Sequence, residues 1–151
     1  MPIIAPEELS SYVGKEIGVS DWLEIVQPDV NAFADVTRDH QFIHVDVEKA
    51  KDTPFGGTIA HGFLTLSLLP SFADGRTLIL DGMKMGVNYG LEKVRFLAPV
   101  KVGAHVRGRF TLVRAQERSP GVFQTIYDAV VEIKDEDKPA LSAQWIVLQY
   151  V

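Results

Sequence analysis

The chain has 151 residues, 46% of them hydrophobic and 23% charged, with a mean hydropathy of +0.07; this is one ordinary globular domain, read as residues 1–151, and neither a disordered nor a fibrous chain. The absence of cysteine excludes disulfides, a thiol nucleophile and a thiolate-held metal, and a net charge of −5 argues against a general nucleic-acid binder. The opening residues lack the charged and apolar regions of a signal peptide, and no apolar run approaches membrane-spanning length, so a cytoplasmic protein that does not enter membranes is expected.

In chain order, a strand is expected near Ile17 to Val26. From Pro28 the apolar residues Val30, Phe33 and Ala34 recur at helical spacing, with Asp29 favourable near the positive end, so a helix should run to about Thr37. Arg38 to Phe42 reads as a polar loop carrying Asp39 and His40, followed by Ile43 to Asp46 and a short helical turn over Val47 to Lys51. Thr53-Pro54-Phe55-Gly56-Gly57-Thr58 is a breaker cluster. It leads through Ile59, Ala60, His61 and Gly62 into Phe63–Phe72, about three helical turns that are apolar on nearly every face and should kink or end at Pro70.

The remainder is strand-like: Leu78 to Val87, Leu91 to Leu97, Val106 to Val113, Val122 to Ile133 and Ala140 to Val151, rich in branched and aromatic residues and separated by turn formers. Val106, Gly108, Phe110 and Leu112 alternate with Arg107, Arg109 and Thr111, the period of a strand wet on one face. A helix apolar all round needs cover on all sides, and a curved, largely antiparallel sheet wrapped about it supplies that; the expected class is α+β, the hot-dog arrangement. The basic stretch from Lys84 to Arg118 could hold a phosphate-bearing ligand or could be the solvated outer faces of strands. Trp22, Trp145 and Phe123 read as core or interface, and His105 has no support for a function.

Asp39 and His44 are the obvious acid/base pair, since imidazole titrates near neutrality and a nearby carboxylate can orient or bias it. Their separation of five does not put them on one helix face, so a loop must bring them together. Gly62, at the start of the apolar helix, is placed to offer a free backbone amide to a developing oxyanion, with no side chain in the way of a carbonyl.

The stretch from Phe33 to Asp46, followed by Phe55 to Leu64, resembles the MaoC-like dehydratase or (R)-specific enoyl-CoA hydratase family, and within it the nodulation-protein-N-like branch. Asn88 to Val100 also resembles the family's strand beside the acyl and pantetheine channel. The resemblance implies a homodimer acting on an acyl-CoA or acyl-carrier thioester without metal or other cofactor: addition of water to a trans-2-enoyl thioester giving the (R)-3-hydroxyacyl product, or the reverse. It implies Asp39 and His44 as the dyad, Gly62 as oxyanion donor, and substrate contacts from Gln41, Ile59, Ala60, His61, Phe63, Ser67, Asn88, Tyr89, Gly90, Val94, Arg95 and Phe96. Arg38, Gln41 and Phe42 stand where the commoner pattern has glycine, asparagine and proline, and Arg38 thereby takes a position at which a positive φ would favour glycine. A serine that some members carry later on the helix falls at Pro70, so its supporting role is either absent or passes to Ser67. Three other readings compete. A thioesterase would use the same ligand but release free thiol, and a non-catalytic acyl-binding subunit would turn nothing over. A non-haem iron site built from His44, Asp46 and His105 would respond to chelators.

Overall fold

The computed structural model describes residues 3–151. Two-residue strand β1 (Ile3–Ile4) leads into a 3-10 turn over Pro6–Tyr12, whose start is closed by Glu8 accepting from the Ala5 amide at 2.9 Å. Strands β2 (Glu16–Val19) and β3 (Leu23–Glu24) follow, then helices α1 (Gln27–Thr37), α2 (Phe42–Val45), α3 (Val47–Ala50), α4 (Gly62–Ser67) and α5 (Leu69–Ala73). The chain ends in β4 (Ile79–Leu80), β5 (Met85–Phe96), β6 (His105–Ser119), β7 (Val122–Ile133) and β8 (Leu141–Tyr150).

The main sheet is antiparallel with strand order β2-β6-β7-β8-β5, and β3 pairs with β6 beyond β2. It packs against α4 and α5, the hot-dog arrangement expected from the helix composition. On β6 the alternation holds: Val106, Phe110 and Leu112 are buried, while Arg107 and Arg109 point outward to Glu132, at 2.6 and 2.9 Å. Arg109 also reaches Glu16, so two of the basic-stretch arginines belong to the outer face of the sheet rather than to a ligand site. Gly108 lets the helix sit down on the sheet, because a Cβ there would lie 2.7 Å from Cβ of Phe72.

Three expectations need correction. The single strand foreseen over Ile17–Val26 is two strands on the same partner, because the register slips between Val19, which pairs with Arg109, and Leu23, which pairs with Val106, and the Ser20 hydroxyl accepts from the Gly108 amide. The break foreseen between Val87 and Leu91 lies earlier, at Gly82, whose φ of +75° supplies a tight turn; β5 then runs unbroken, with register shifts between Asn88 and Gly90 and between Glu92 and Arg95. The apolar helix breaks at Leu68 as expected from Pro70, which has no amide proton to continue the ladder. The expectation that fails is its burial on all sides: Phe63 is 67% exposed and Ser67 is exposed, because one sheet covers one side of the helix only.

β5 is the free edge of the sheet, and its side chains Met85, Val87, Tyr89 and Leu91 are all exposed. A long edge strand that leaves both its hydrogen-bonding groups and its apolar side chains uncovered is a template for pairing.

Candidate active site

α1 ends at Arg38, whose φ of 66° and ψ of 19° are left-handed, the conformation that suits glycine better than arginine. That turn throws the chain into the loop that presents Asp39. The loop closes at Phe42, where α2 begins, so His44 stands in a helix of one turn rather than in the loop. α3 follows at once, capped by Asp46, which accepts from the Lys49 amide at 2.9 Å.

His44 is 7% exposed, and its Nδ1–H donates to the Ile59 carbonyl at 2.7 Å. A carbonyl can only accept, so the proton sits on Nδ1 and Nε2 keeps its lone pair. Burial pushes the His44 pKa below its ordinary 6.5; the Ile59 carbonyl raises it, His61 lowers it further, and Asp39 pulls it back. The imidazole is therefore held neutral near pH 7 with a basic nitrogen available.

His61 touches both members of the pair. Its ring stacks on that of His44, with centroids 3.8 Å apart and planes 23° from parallel, and its Nε2–H donates to the Asp39 carbonyl at 2.9 Å. Phe33 backs it from the other direction at 4.9 Å. Nδ1 of His61 is buried without a partner among the described residues. Ligand atoms of Asp39, His44 and His61 lie within 4.8 Å of one another, so the loop does converge the carboxylate and imidazole as the spacing required.

That trio is also what a metal would need in residue type, but its geometry is poor for one: rings stacked this nearly parallel direct their in-plane lone pairs side by side and not at a common point. The iron site imagined from His44, Asp46 and His105 is not assembled, because Asp46 caps α3 and His105 begins β6 opposite Glu24.

Gly62 opens α4, and its amide makes no hydrogen bond among the described residues. A Cβ at Gly62 would meet Cδ1 of Phe96 at 2.9 Å, so glycine is what lets the sheet edge close over the amide. A cavity of about 290 Å³ lies there, lined by His44, Ile59, Ala60, Gly62, Thr65 and Phe96 among others. Ser67, Asn88, Tyr89 and Gly90 line a second cavity of about 380 Å³ farther along the helix. The predicted substrate contacts are thus divided between two spaces. Gln41 lies exposed on the Asp39 loop, with its amide 3.4 Å from Asp39 Oδ1. Phe63 packs edge-on against Phe96 at 5.8 Å, while Val94 and Arg95 line neither cavity.

Sequence reasoning missed the brace behind the dyad. Gln27 Nε2 donates to the His44 carbonyl at 2.7 Å and to Asn31 Oδ1 at 2.9 Å, while its Oε1 accepts from Thr58 Oγ1 at 2.6 Å. No local pattern could have announced this, since Thr58 is 31 residues from Gln27.

The model of the MaoC-like domain matches residues 8–133. The chain belongs to the MaoC-like dehydratase family. It is 49% identical over 142 residues to nodulation protein N of Rhizobium leguminosarum bv. viciae, covering 93% of this chain and 88% of that one. To 3-hydroxyacyl-thioester dehydratase Z of Mycobacterium tuberculosis (strain ATCC 25618 / H37Rv) it is 47% identical over 140 residues, covering 93% and 92%. Among solved structures, a monoamine oxidase regulatory protein from Archaeoglobus superposes with a TM-score of 0.80 at 27% identity, covering 99% of this chain and 96% of that one. The nodulation-N-like resemblance and the hot-dog fold of this MaoC-like chain are both in these likenesses.

In this MaoC-like chain the contacts of His61 with both Asp39 and His44 give its replacement an expected, measurable signature. His61→Phe keeps a stacked ring but loses both the bond to the Asp39 carbonyl and the influence that lowers the His44 pKa. The acid limb of its pH–rate profile should move upward in pH, and kcat should fall by up to about 100-fold, the cost of displacing a reacting group by about 1 Å. An unmoved acid limb in a folded variant would remove His61 from the site.

Proposed function

We propose that this protein adds water reversibly to trans-2-enoyl thioesters, giving (R)-3-hydroxyacyl thioesters, with no metal or cofactor beyond the CoA or acyl carrier of the substrate. The observation that carries the reading is the tautomer of His44: a neutral ring with Nε2 unprotonated, near the Asp39 carboxylate and the Gly62 amide, which has no partner among the described residues. The name of the dehydratase relative points the same way.

In the hydration direction the thioester carbonyl accepts from the Gly62 amide, which makes C3 electrophilic and holds the negative charge that develops on oxygen. Asp39 holds one proton of a water molecule and His44 Nε2 takes the other. The water oxygen forms its bond to C3 as the C2–C3 double bond yields its electrons toward the carbonyl. The proton on Nε2 then passes to C2. One group taking and returning the proton on one face gives syn addition, and the reverse sequence expels water.

The proposed active unit is a homodimer. A second copy pairing along the β5 edge would cover Tyr89 and Leu91 on that edge, and Phe63 and Phe96 beside Gly62, closing the thioester site against water. Loss of enoyl absorbance from crotonyl-CoA without release of free thiol, by a species sedimenting at twice the chain mass, is the expected result. Release of thiol would point to a thioesterase, and a folded protein that bleaches no enoyl ester of any length would end the proposal.

A further inference from the structure

The spaces along the seam between the central helices and β5 form a series. The first holds His44 and Gly62; the second, about 380 Å³, lies between Leu66 and Ser67 on α4 and Tyr89 to Leu91 on β5. The third, about 400 Å³, lies farther along, between Ala73 on α5 and Gly86, Val147 and Gln149 on the sheet, with Leu78 and Met83 also lining it. The second and third chambers have three lining residues in common: Pro70, Asn88 and Trp145.

These three form a partition. The Trp145 indole is buried, tilted against Phe110 and Tyr127 at 6.0 and 6.4 Å, and its Nε1–H donates to Asn88 Oδ1 at 3.2 Å. Asn88 stands where the register of β5 shifts, and an irregularity of this kind re-aims a side chain out of the regular alternation. Pro70 faces them from the kinked helix. Beyond the partition the walls are mostly apolar. The side-chain amide of Gln149 is engaged at both ends, accepting from Leu80 N at 3.0 Å and donating to the Leu78 carbonyl at 3.1 Å. The Tyr127 ring also lines this space, with its hydroxyl turned toward Thr125 and the Leu78 carbonyl, and the volume of about 400 Å³ makes the third chamber fillable space rather than sealed core.

We propose that Trp145, tethered by Asn88, is the chain-length gate of this enzyme: tethered, it ends the acyl site at the second chamber, and released, it joins the third chamber to it. The gate rests on the reading of the site as one for enoyl thioesters, with the acyl chain running from Gly62 along the helix. Its physical basis is volume. Each additional methylene moved from water into an apolar chamber strengthens binding roughly fourfold, whereas a methylene pressed against a tethered indole gains nothing.

The test separates binding from turnover. Affinities of the intact protein for saturated acyl-CoA esters of four to twelve carbons would be measured by calorimetry, and kcat/KM for the matching trans-2-enoyl esters by absorbance, for wild type, Asn88→Ala and Trp145→Leu. Wild-type affinity should rise with length and then level off; in both variants the rise should continue, lifting the twelve-carbon to four-carbon ratio at least tenfold. Asn88→Ala leaves the indole's packing partners in place, so it reads the gate even where Trp145→Leu unfolds. Esters bound and hydrated with a length profile unchanged by Asn88→Ala would overturn the gate alone. A profile that shifts in binding while no variant turns anything over would uphold the gate and overturn hydration. No binding at any length would overturn both.

Discussion

Asp39→Asn and His44→Ala should each lower kcat/KM for a trans-2-enoyl thioester by about 100- to 10,000-fold, the range for a positioned acid or base, while the protein keeps its fold. The double variant should lose little more than the worse single one, because both groups act on one water. Asp39 is exposed, and its side chain braces only the Gln41 amide at 3.4 Å, so Asp39→Asn removes chemistry and almost no packing. His44→Ala also loses the bond to Ile59 and the stack on His61, so its fold has to be checked by thermal melting. Near-wild-type rates in both folded variants would remove the dyad.

The pH dependence has a determined sign. Burial lowers the His44 pKa from 6.5, so between that lowered value and 6.5 the unfolded chain binds more protons than the folded one. Stability from this group is present in full above 6.5 and is lost as pH falls through the folded pKa. The acid limb of kcat/KM should accordingly have its inflection below 6.5. An inflection above 6.5 would contradict a desolvated, neutral His44.

Gly62→Pro should cost about 100- to 1,000-fold in kcat, the effect of removing one oxyanion donor. The backbone accepts the change: proline suits the first helical position, and His61, at φ −60° and ψ 139°, already has the extended conformation that precedes proline. Gly62→Ala is the control, since it keeps the N–H and adds only a Cβ beside Phe96, a half-exposed ring at the end of β5 that can give way. Its loss should stay under roughly tenfold, in line with a small displacement and no lost donor. Equal losses in the two variants would make Gly62 a matter of space and take the oxyanion role from its amide.

Much of the machinery was legible locally. α1 followed from the spacing of Val30 and Ala34, the helix break from Pro70, and the wet-faced strand from alternating residues over Val106–Leu112. Arg38 in a glycine-like position marked the turn that the structure shows as left-handed. Other features had no local signal. The pairing of Ile3 and Ile4 with Ile79 and Leu80 joins two strands too short to show a period. His61 enters the sequence reading only as a substrate contact implied by the resemblance, yet its ring touches both Asp39 and His44. Trp145 reads as core, which it is, and only the cavities on either side of it give it a second role.

The sequence by itself determined the family, the apolar central helix and the identity of the residues proposed to move protons, because these lie in short runs whose chemistry depends on type and spacing. Only the tertiary structure decided the tautomer of His44, the Gln27–Thr58 brace and the bare apolar edge of β5. Each of those depends on which groups meet across long stretches of chain, and a hydrogen bond or a cavity exists only where both of its sides arrive.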